Sequence, residues 1–282
     1  MPEQRRNTVN PVQVIAVTGG RGGCGKTNVS VNLALGLAAL GRRVMILDAD
    51  LALANAHVLL GLASKQTVAD VLRGTCSAEQ AMLSFKGNVR LLPGTCGDLS
   101  MAHLTATQQA GLIHAVSDIR DTPDVLLIDT ASGISDSTMN FIRASRQVLV
   151  VITDEPASFN GAYNLIKLLN RNYGINHFHV LANMTRTPHE GRALFSRMVQ
   201  VTDRFLSVVL DYLGDVPFDE SVRTAAHKRR AVFEAYPKSK CAVAYQKLAK
   251  KVDEWPLPVY PRAHLEFFGD NLLNPALERL AS

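Results

Sequence analysis

The run Gly19-Gly20-Arg21-Gly22-Gly23-Cys24-Gly25-Lys26-Thr27, set between an apolar strand and a helix, constrains this chain more than any other feature. From Gly20 onward it satisfies G-x-x-x-x-G-K-[ST], the loop that cradles phosphates after a strand and before a helix. Each residue type has a reason. Gly20, Gly22, Gly23 and Gly25 let successive backbone N–H groups close around a polyphosphate with no Cβ in the way. Cys24 fits as a small residue inside the loop. The helix that begins near Gly25 turns its positive end to the same anion, with Asn28 in its first turn. Lys26 is placed to reach the β- and γ-phosphates, and the Thr27 hydroxyl to complete a Mg²⁺ shell. Val14-Ile15-Ala16-Val17 supplies the strand. Val29, Leu33, Leu37 and Leu40 recur at helical spacing, with Gly41 as the stop. The expected ligand is a nucleotide with Mg²⁺.

Strand-like runs recur over 13–18, 43–48, 89–92, 124–129, 147–153, 178–183 and 209–216, with helical stretches between most of them, including 27–40, 105–118, 157–171 and 238–254. Such alternation predicts an α/β fold of the P-loop NTPase type: a mostly parallel twisted sheet with helices on both faces. Runs such as Val125-Leu126-Leu127-Ile128 and Val148-Leu149-Val150-Val151-Ile152 are apolar throughout, as strands covered on both sides should be. The expected organisation is a short arm over 1–11, one domain over 12–254, and a proline-punctuated linker with an amphipathic tail over 255–282.

The chain has 282 residues, 47% hydrophobic and 20% charged, enough to bury a sizeable core. Its net charge of +5 permits weak attraction to nucleic acid or anionic lipid without demanding it. Four scattered cysteines, with no C-x-x-C pair, indicate neither zinc nor a disulfide framework. No apolar run approaches a membrane span, and Asn7, Asn10 and Gln13 interrupt any signal-peptide core. The simplest location is the cytoplasm.

Carboxylates complete the picture. Asp129 closes a strand beside the phosphate loop, where a carboxylate holds Mg²⁺, usually through water. Asp48 and Asp50, two residues apart on an extended segment, are expected to point to one side, toward a shared cation or water.

Together, the loop Gly19–Thr27, the stretch Ile46-Leu47-Asp48-Ala49-Asp50 and the turn Asp129-Thr130-Ala131-Ser132-Gly133 resemble the MinD/ParA class of deviant Walker-A ATPases. Within it the chain is most similar to the flagellar-number regulators of the FleN/FlhG group. Leu59-Leu60-Gly61-Leu62, Ile166-Lys167-Leu168-Leu169-Asn170-Arg171, Leu181-Ala182-Asn183-Met184, Asp219-Glu220-Ser221-Val222-Arg223 and His264-Leu265-Glu266-Phe267-Phe268 match that group's blocks, so the likeness runs from about residue 11 to 270. The resemblance implies that Asp50 orients the attacking water, and that Asp48 and Asp129 organise the metal and the two switches. It implies that Asn183 and the segment Pro217, Phe218, Asp219 face adenine. It also implies an ATP-dependent homodimer that restrains a flagellar transcriptional activator of the FleQ type, with slow hydrolysis. Three positions depart from the pattern. Arg21 stands where the family has a lysine that crosses to the partner's phosphates, Ala52 where the group has glycine, and Ser132 where alanine is usual. Guanidinium keeps the charge but differs in length and shape from ammonium.

Other readings are weighed against this one. His227-Lys228-Arg229-Arg230 is read first as a solvated helix face, so DNA binding by the chain itself is not expected. A ParA-like partition ATPase, which binds DNA non-specifically, is nonetheless the alternative function. A metabolic P-loop enzyme is disfavoured, because no second substrate motif is found. For the tail, with Leu265, Phe268, Leu272 and Leu273 on one side, three destinations stay open: its own domain, which is favoured, a transient contact at the membrane, or a partner protein.

Overall fold

A computed structural model of the protein describes residues 11–51, 53–262 and 264–272. The sheet has eight strands: β1 (Gln13–Thr18), β2 (Val44–Ala49), β3 (Leu83–Phe85), β4 (Val89–Leu92), β5 (Val125–Thr130), β6 (Gln147–Ile152), β7 (His177–Thr185) and β8 (Val209–Pro217). They pair in the order β3-β4-β2-β5-β1-β6-β7-β8. Every pairing is parallel except β3 with β4 at one edge. β3 is the strand that the sequence pattern does not reveal, since three residues carry no period.

Helices fill the connections: α1 (Lys26–Ala39), α2 (Ala56–Leu59), α3 (Val68–Leu72), α4 (Ala78–Ala81), α5 (Ala106–Ser117), α6 (Asp136–Arg143), α7 (Pro156–Tyr173), α8 (Pro188–Phe205), α9 (Glu220–His227), α10 (Val232–Ala235) and α11 (Lys240–Asp253). Period-two alternation along the strands sorts the core into layers. Ile15, Val17, Ile46 and Leu127 face α1 and α11, with Leu37 and Tyr245 between them. On the other face Val14, Leu47 and Leu126 meet α3 and α5. Ala16, Val150 and Val180 meet α6, α7 and α8 beyond. Both faces are covered, which is why the central strands read as unbroken apolar runs. Leu40, counted with the apolar stripe of α1, instead ends that helix, 40% exposed, before Gly41 turns the chain at φ +91°.

After α11 the chain returns to the body. Trp255 stacks on His179 with ring centroids 3.7 Å apart. Phe267 donates its N–H to the Ala144 carbonyl at 3.1 Å and stacks on Phe141. Buried Glu266 pairs with Arg146 and accepts the Arg262 N–H at 2.9 Å. Phe267, Phe268 and Leu272 are sunk in the core. The described part of the tail therefore docks on its own domain. Over 264–272 the amphipathic tail forms no α-helix, only a single 3₁₀ turn, Gly269–Leu272. A membrane-facing stripe would need Phe268 and Leu272 outside, and both are inside. Residues 1–10, Ala52, and the tail positions Leu273, Pro275, Glu278 and Arg279 lie outside the described residues. No helix among the described residues is long and apolar enough to cross a membrane.

Docking of the tail has a measurable consequence. Phe267→Ala opens a cavity beneath Phe141 and costs about 3 kcal/mol in urea unfolding, the usual scale for a buried phenylalanine. A loss below roughly 0.5 kcal/mol, the level of an exposed site, would mean the strap is not packed.

Candidate functional site

The phosphate loop leaves β1 at the C-terminal edge of the sheet and enters α1. Two neighbours clamp it. A Cβ on Gly20 would lie 1.8 Å from the Gly161 carbonyl carbon in α7, and one on Gly161 would lie 2.5 Å from the Gly20 oxygen. The two backbones touch, so neither position admits a side chain. On the other side Asn183, near the end of β7, donates Nδ2 to the Cys24 carbonyl at 2.8 Å. Gly25, at φ +92°, passes directly under that amide, where a Cβ would meet Nδ2 at 2.3 Å. Gly23 is also left-handed, whereas Gly22 is not held by such a constraint. Cys24 is buried, and burial pushes its thiol up, as suits a packing residue.

Lys26 opens α1 and is almost fully buried, its Nζ 3.4 Å from the Arg21 carbonyl. Thr27 follows Lys26 in the first turn with its side chain toward Asp129, and Ser30, one turn on, donates its hydroxyl to Asp129 Oδ1 at 3.0 Å. Asp129 Oδ2 is left buried without a partner. Directly across the β2–β5 ladder stands Asp48. Its Oδ2 accepts the N–H groups of Asn55 at 3.1 Å and Ala56 at 3.0 Å, while Oδ1 has no partner. Burial, then the neighbouring Asp129 charge, holds Asp48 well above the usual carboxylate range. Burial likewise pushes Asp129 up to about 6, against the hydrogen bonds of Thr27 and Ser30 and the charge of Lys26.

Asp48 and Asp50 are thus used differently. β2 ends at Ala49, so Asp50 leaves the extended run, half-buried; burial raises its carboxyl and nearby Lys26 lowers it. Asp48 instead ties the end of β2 to the start of α2. Gly94 backs this segment, since a Cβ there would meet the Asp48 oxygen at 2.8 Å and Ala54 Cβ at 2.9 Å. A divalent cation fits the set: two buried carboxylates, each with an orphaned oxygen, beside a threonine hydroxyl are hard oxygen donors short of positive charge.

Beside the loop lies a cavity of about 240 Å³ lined by Asn28, Asn183, Pro217, Phe218 and Asp219, with Met184 among its other walls. These five, spread between positions 28 and 219, converge only in the fold. Asp219 lines it without aiming its carboxylate there: Oδ1 accepts the Ser221 N–H at 2.9 Å and Oδ2 the Cys241 N–H at 3.3 Å, capping α9 and joining it to α11. Arg21, half-exposed, forms an ion pair with Glu155 just before α7. Ser132 lies beside Gly22, where a Cβ would sit 3.6 Å from its hydroxyl.

Sequence reasoning did not single out Gly161, Gly94, Ser30 or Glu155. Gly161 left a signal, because an isolated glycine inside a helical pattern usually has a packing reason. Gly94 follows Pro93 at a strand end, a turn signal without a stated role. Ser30 and Glu155 carry no local mark.

A phosphate loop clamped over paired strand-end carboxylates, at the C-terminal edge of a parallel sheet, is the architecture of a P-loop NTPase. The ParA family model, described as an NUBPL iron-transfer P-loop NTPase, matches residues 10–253. The chain belongs to this family and is an ATPase of the ParA/MinD type. It is 58% identical over 270 residues to the antiactivator FleN of Pseudomonas aeruginosa, covering 96% of each chain. It is 29% identical to the flagellum site-determining protein YlxH of Helicobacter pylori, over 79% of this chain and 76% of that one. The cell division ATPase MinD of Pyrococcus furiosus superposes with a TM-score of 0.72 at 26% identity, over 86% of this chain and 98% of that one.

The elevated Asp129 value has a defined sign. Folding raises it from 3.8 to about 6, so the folded form keeps a proton that the unfolded chain releases. The associated stability is complete below the unfolded value and is lost as pH rises through about 6. In protein freed of nucleotide and Mg²⁺, Asp129→Asn should therefore gain on the parent between pH 4 and pH 7 by roughly 2–3 kcal/mol. Urea unfolding at both pH values measures it, and an equal difference at the two would remove the perturbed carboxyl.

Proposed function

We propose that the protein is an ATP-driven switch that restrains flagellar number or placement as an antiactivator, binding a transcriptional activator of flagellar genes. The observation that carries this reading is the likeness to FleN along 96% of the chain, together with an intact phosphate loop and strand-end carboxylates.

The residues support the following division of labour. Loop amides from Gly20 to Gly25 and the first turn of α1, through Asn28, hold the phosphates, already ordered by Gly161 and Asn183. Lys26 exchanges the Arg21 carbonyl for the terminal phosphates. Thr27 and Asp129, with Asp48 beside them, would hold Mg²⁺, which when bound would neutralise phosphate charge. Asp50 accepts a hydrogen bond from the attacking water and aims it, a contribution made mainly in the transition state. Asp48 couples that event to the chain through the Asn55 and Ala56 amides. Asn183, Pro217, Phe218 and the Asp219 backbone wall the cavity that takes adenine.

The basic run gives the DNA-binding alternative little support: Lys228 donates to the Tyr236 hydroxyl at 2.9 Å and Arg230 pairs with Glu234 at 3.1 Å, as on a solvated helix end. Residues 264–272 likewise lend no support to a membrane contact, being docked. Capture from native lysate with a non-hydrolysable ATP analogue tests the reading. Recovery of a flagellar transcriptional activator, dependent on the analogue, is expected. Salt-sensitive binding to random DNA instead would favour the partition alternative.

Two variants separate binding from chemistry. Lys26→Ala should abolish ATP binding in calorimetry, because its ammonium alone among the loop's charges is buried beneath the loop. Asp50→Ala should keep ATP and Mg²⁺ but lose turnover by a hundredfold or so, trapping the ATP form. Hydrolysis at the parental rate would assign the water to another residue.

ATP, but not ADP, should convert monomer to dimer, with Arg21 exchanging Glu155 for the neighbour's nucleotide. Arg21→Ala should leave monomer affinity nearly intact and eliminate the dimer in light scattering, while Arg21→Lys should restore it. A dimer that persists in Arg21→Ala would show association through other surfaces.

A further inference from the structure

We infer that His177, His179 and Asp211 form a binding site for a divalent transition-metal ion, best matched by Zn²⁺, at the edge of the sheet opposite the nucleotide. His177 and His179 are two apart on β7 and so share a face. Asp211 on β8 is the register partner of His179. The three offer ligand atoms that all lie within 4.8 Å of one another.

The state of His179 makes the set more than a surface ion pair. Its ring is buried, 6% exposed, between the Trp255 indole at 3.7 Å and the Gln147 side chain. Gln147 Oε1 can only accept, and it lies 3.1 Å from His179 Nε2, so that nitrogen carries the hydrogen. Nδ1 is then left with its lone pair, 3.7 Å from Asp211 Oδ2. Two acceptors face each other with no hydrogen between them, a spacing that suits one cation bound to both at about 2.0–2.2 Å. A ligating histidine ordinarily has its other N–H held by a carbonyl oxygen, which fixes its tautomer and ring angle. His177 Nε2 lies 2.6 Å from Asp211 Oδ2 and can turn its nitrogen to the ion in place of that bond.

An exposed His177–Asp211 pair by itself would explain two of these residues and leave the His179 Nδ1 geometry without cause. Two imidazoles and one carboxylate select a borderline ion over Mg²⁺ or Ca²⁺, which prefer oxygen. Three protein ligands leave a fourth position for water or an incoming donor. His177 and Asp211 are exposed, so the ion has a path from solvent. Nothing in the nucleotide chemistry uses these residues.

Trp255 is the only tryptophan of the chain and rests on the proposed ligand, so it reports occupancy directly. The test titrates Zn²⁺ into the full chain, stripped with EDTA and free of nucleotide, and follows Trp255 emission beside calorimetry. One equivalent should bind and change the emission. His177→Ala and Asp211→Asn, both at exposed positions, should each weaken that event at least about tenfold while circular dichroism stays unchanged. Zn²⁺ bound at cysteines or beside the phosphate loop would leave Trp255 silent and ignore both substitutions. Either a silent Trp255 at saturation or an unchanged affinity in His177→Ala overturns the site.

Discussion

Two carboxylates buried side by side, Asp48 and Asp129, are the constraint around which the rest of this site is arranged. Adjacent strands in register place them opposite each other, and a protein interior tolerates such a pair only if something supplies charge or hydrogen bonds. α1 meets half of the demand, through Thr27, Ser30 and Lys26. The segment entering α2 meets the other half, through two backbone amides. The orphaned oxygens that remain are what a divalent cation would satisfy. A single electrostatic problem therefore joins the phosphate loop, the paired carboxylates and the segment entering α2.

Rigidity and mobility are divided along the same lines. Backbone-to-backbone contact at Gly20 and Gly161, and the Asn183 amide on the Cys24 carbonyl, hold the loop through the protein's own groups. Preorganisation of this kind lowers the entropy lost on binding. By contrast, Asp50, Arg21 and Glu155 are at least half-exposed or lie beyond strand ends. The loop proposed to hold phosphate is locked by such contacts, whereas the side chains proposed to read hydrolysis or a neighbour are not.

The opposite end of the sheet has its own logic. There Trp255 and the strap through Leu272 cover the starts of β6, β7 and the end of α6, and bury an Arg146–Glu266 pair on the way. The strap thus extends the core past the last long helix, and the amphipathic character of its sequence is spent inside the molecule. An apolar stripe with few neighbouring cations was compatible with a membrane, a partner or the domain itself, and only packing distinguishes them.

By itself the sequence determined whatever depends on near neighbours along the chain. The phosphate loop follows from glycines and a lysine at fixed spacing, the central strands from apolar runs, and α1, α5, α7 and α11 from their periods. Seven of the eight strands were legible this way, and β3 was not, because three residues hold no period. The cavity residues Asn183, Pro217, Phe218 and Asp219 came from family resemblance, since no local pattern marks them. Tertiary structure alone decided the rest: that Ser30 bonds Asp129, that Gly161 meets Gly20, that Asp219 caps a helix, and that the described part of the tail, to Leu272, folds back. These pairs are separated by more than 95 residues in the first two cases. Their meeting depends on strand order in the sheet, a property of the whole chain that no window of sequence contains.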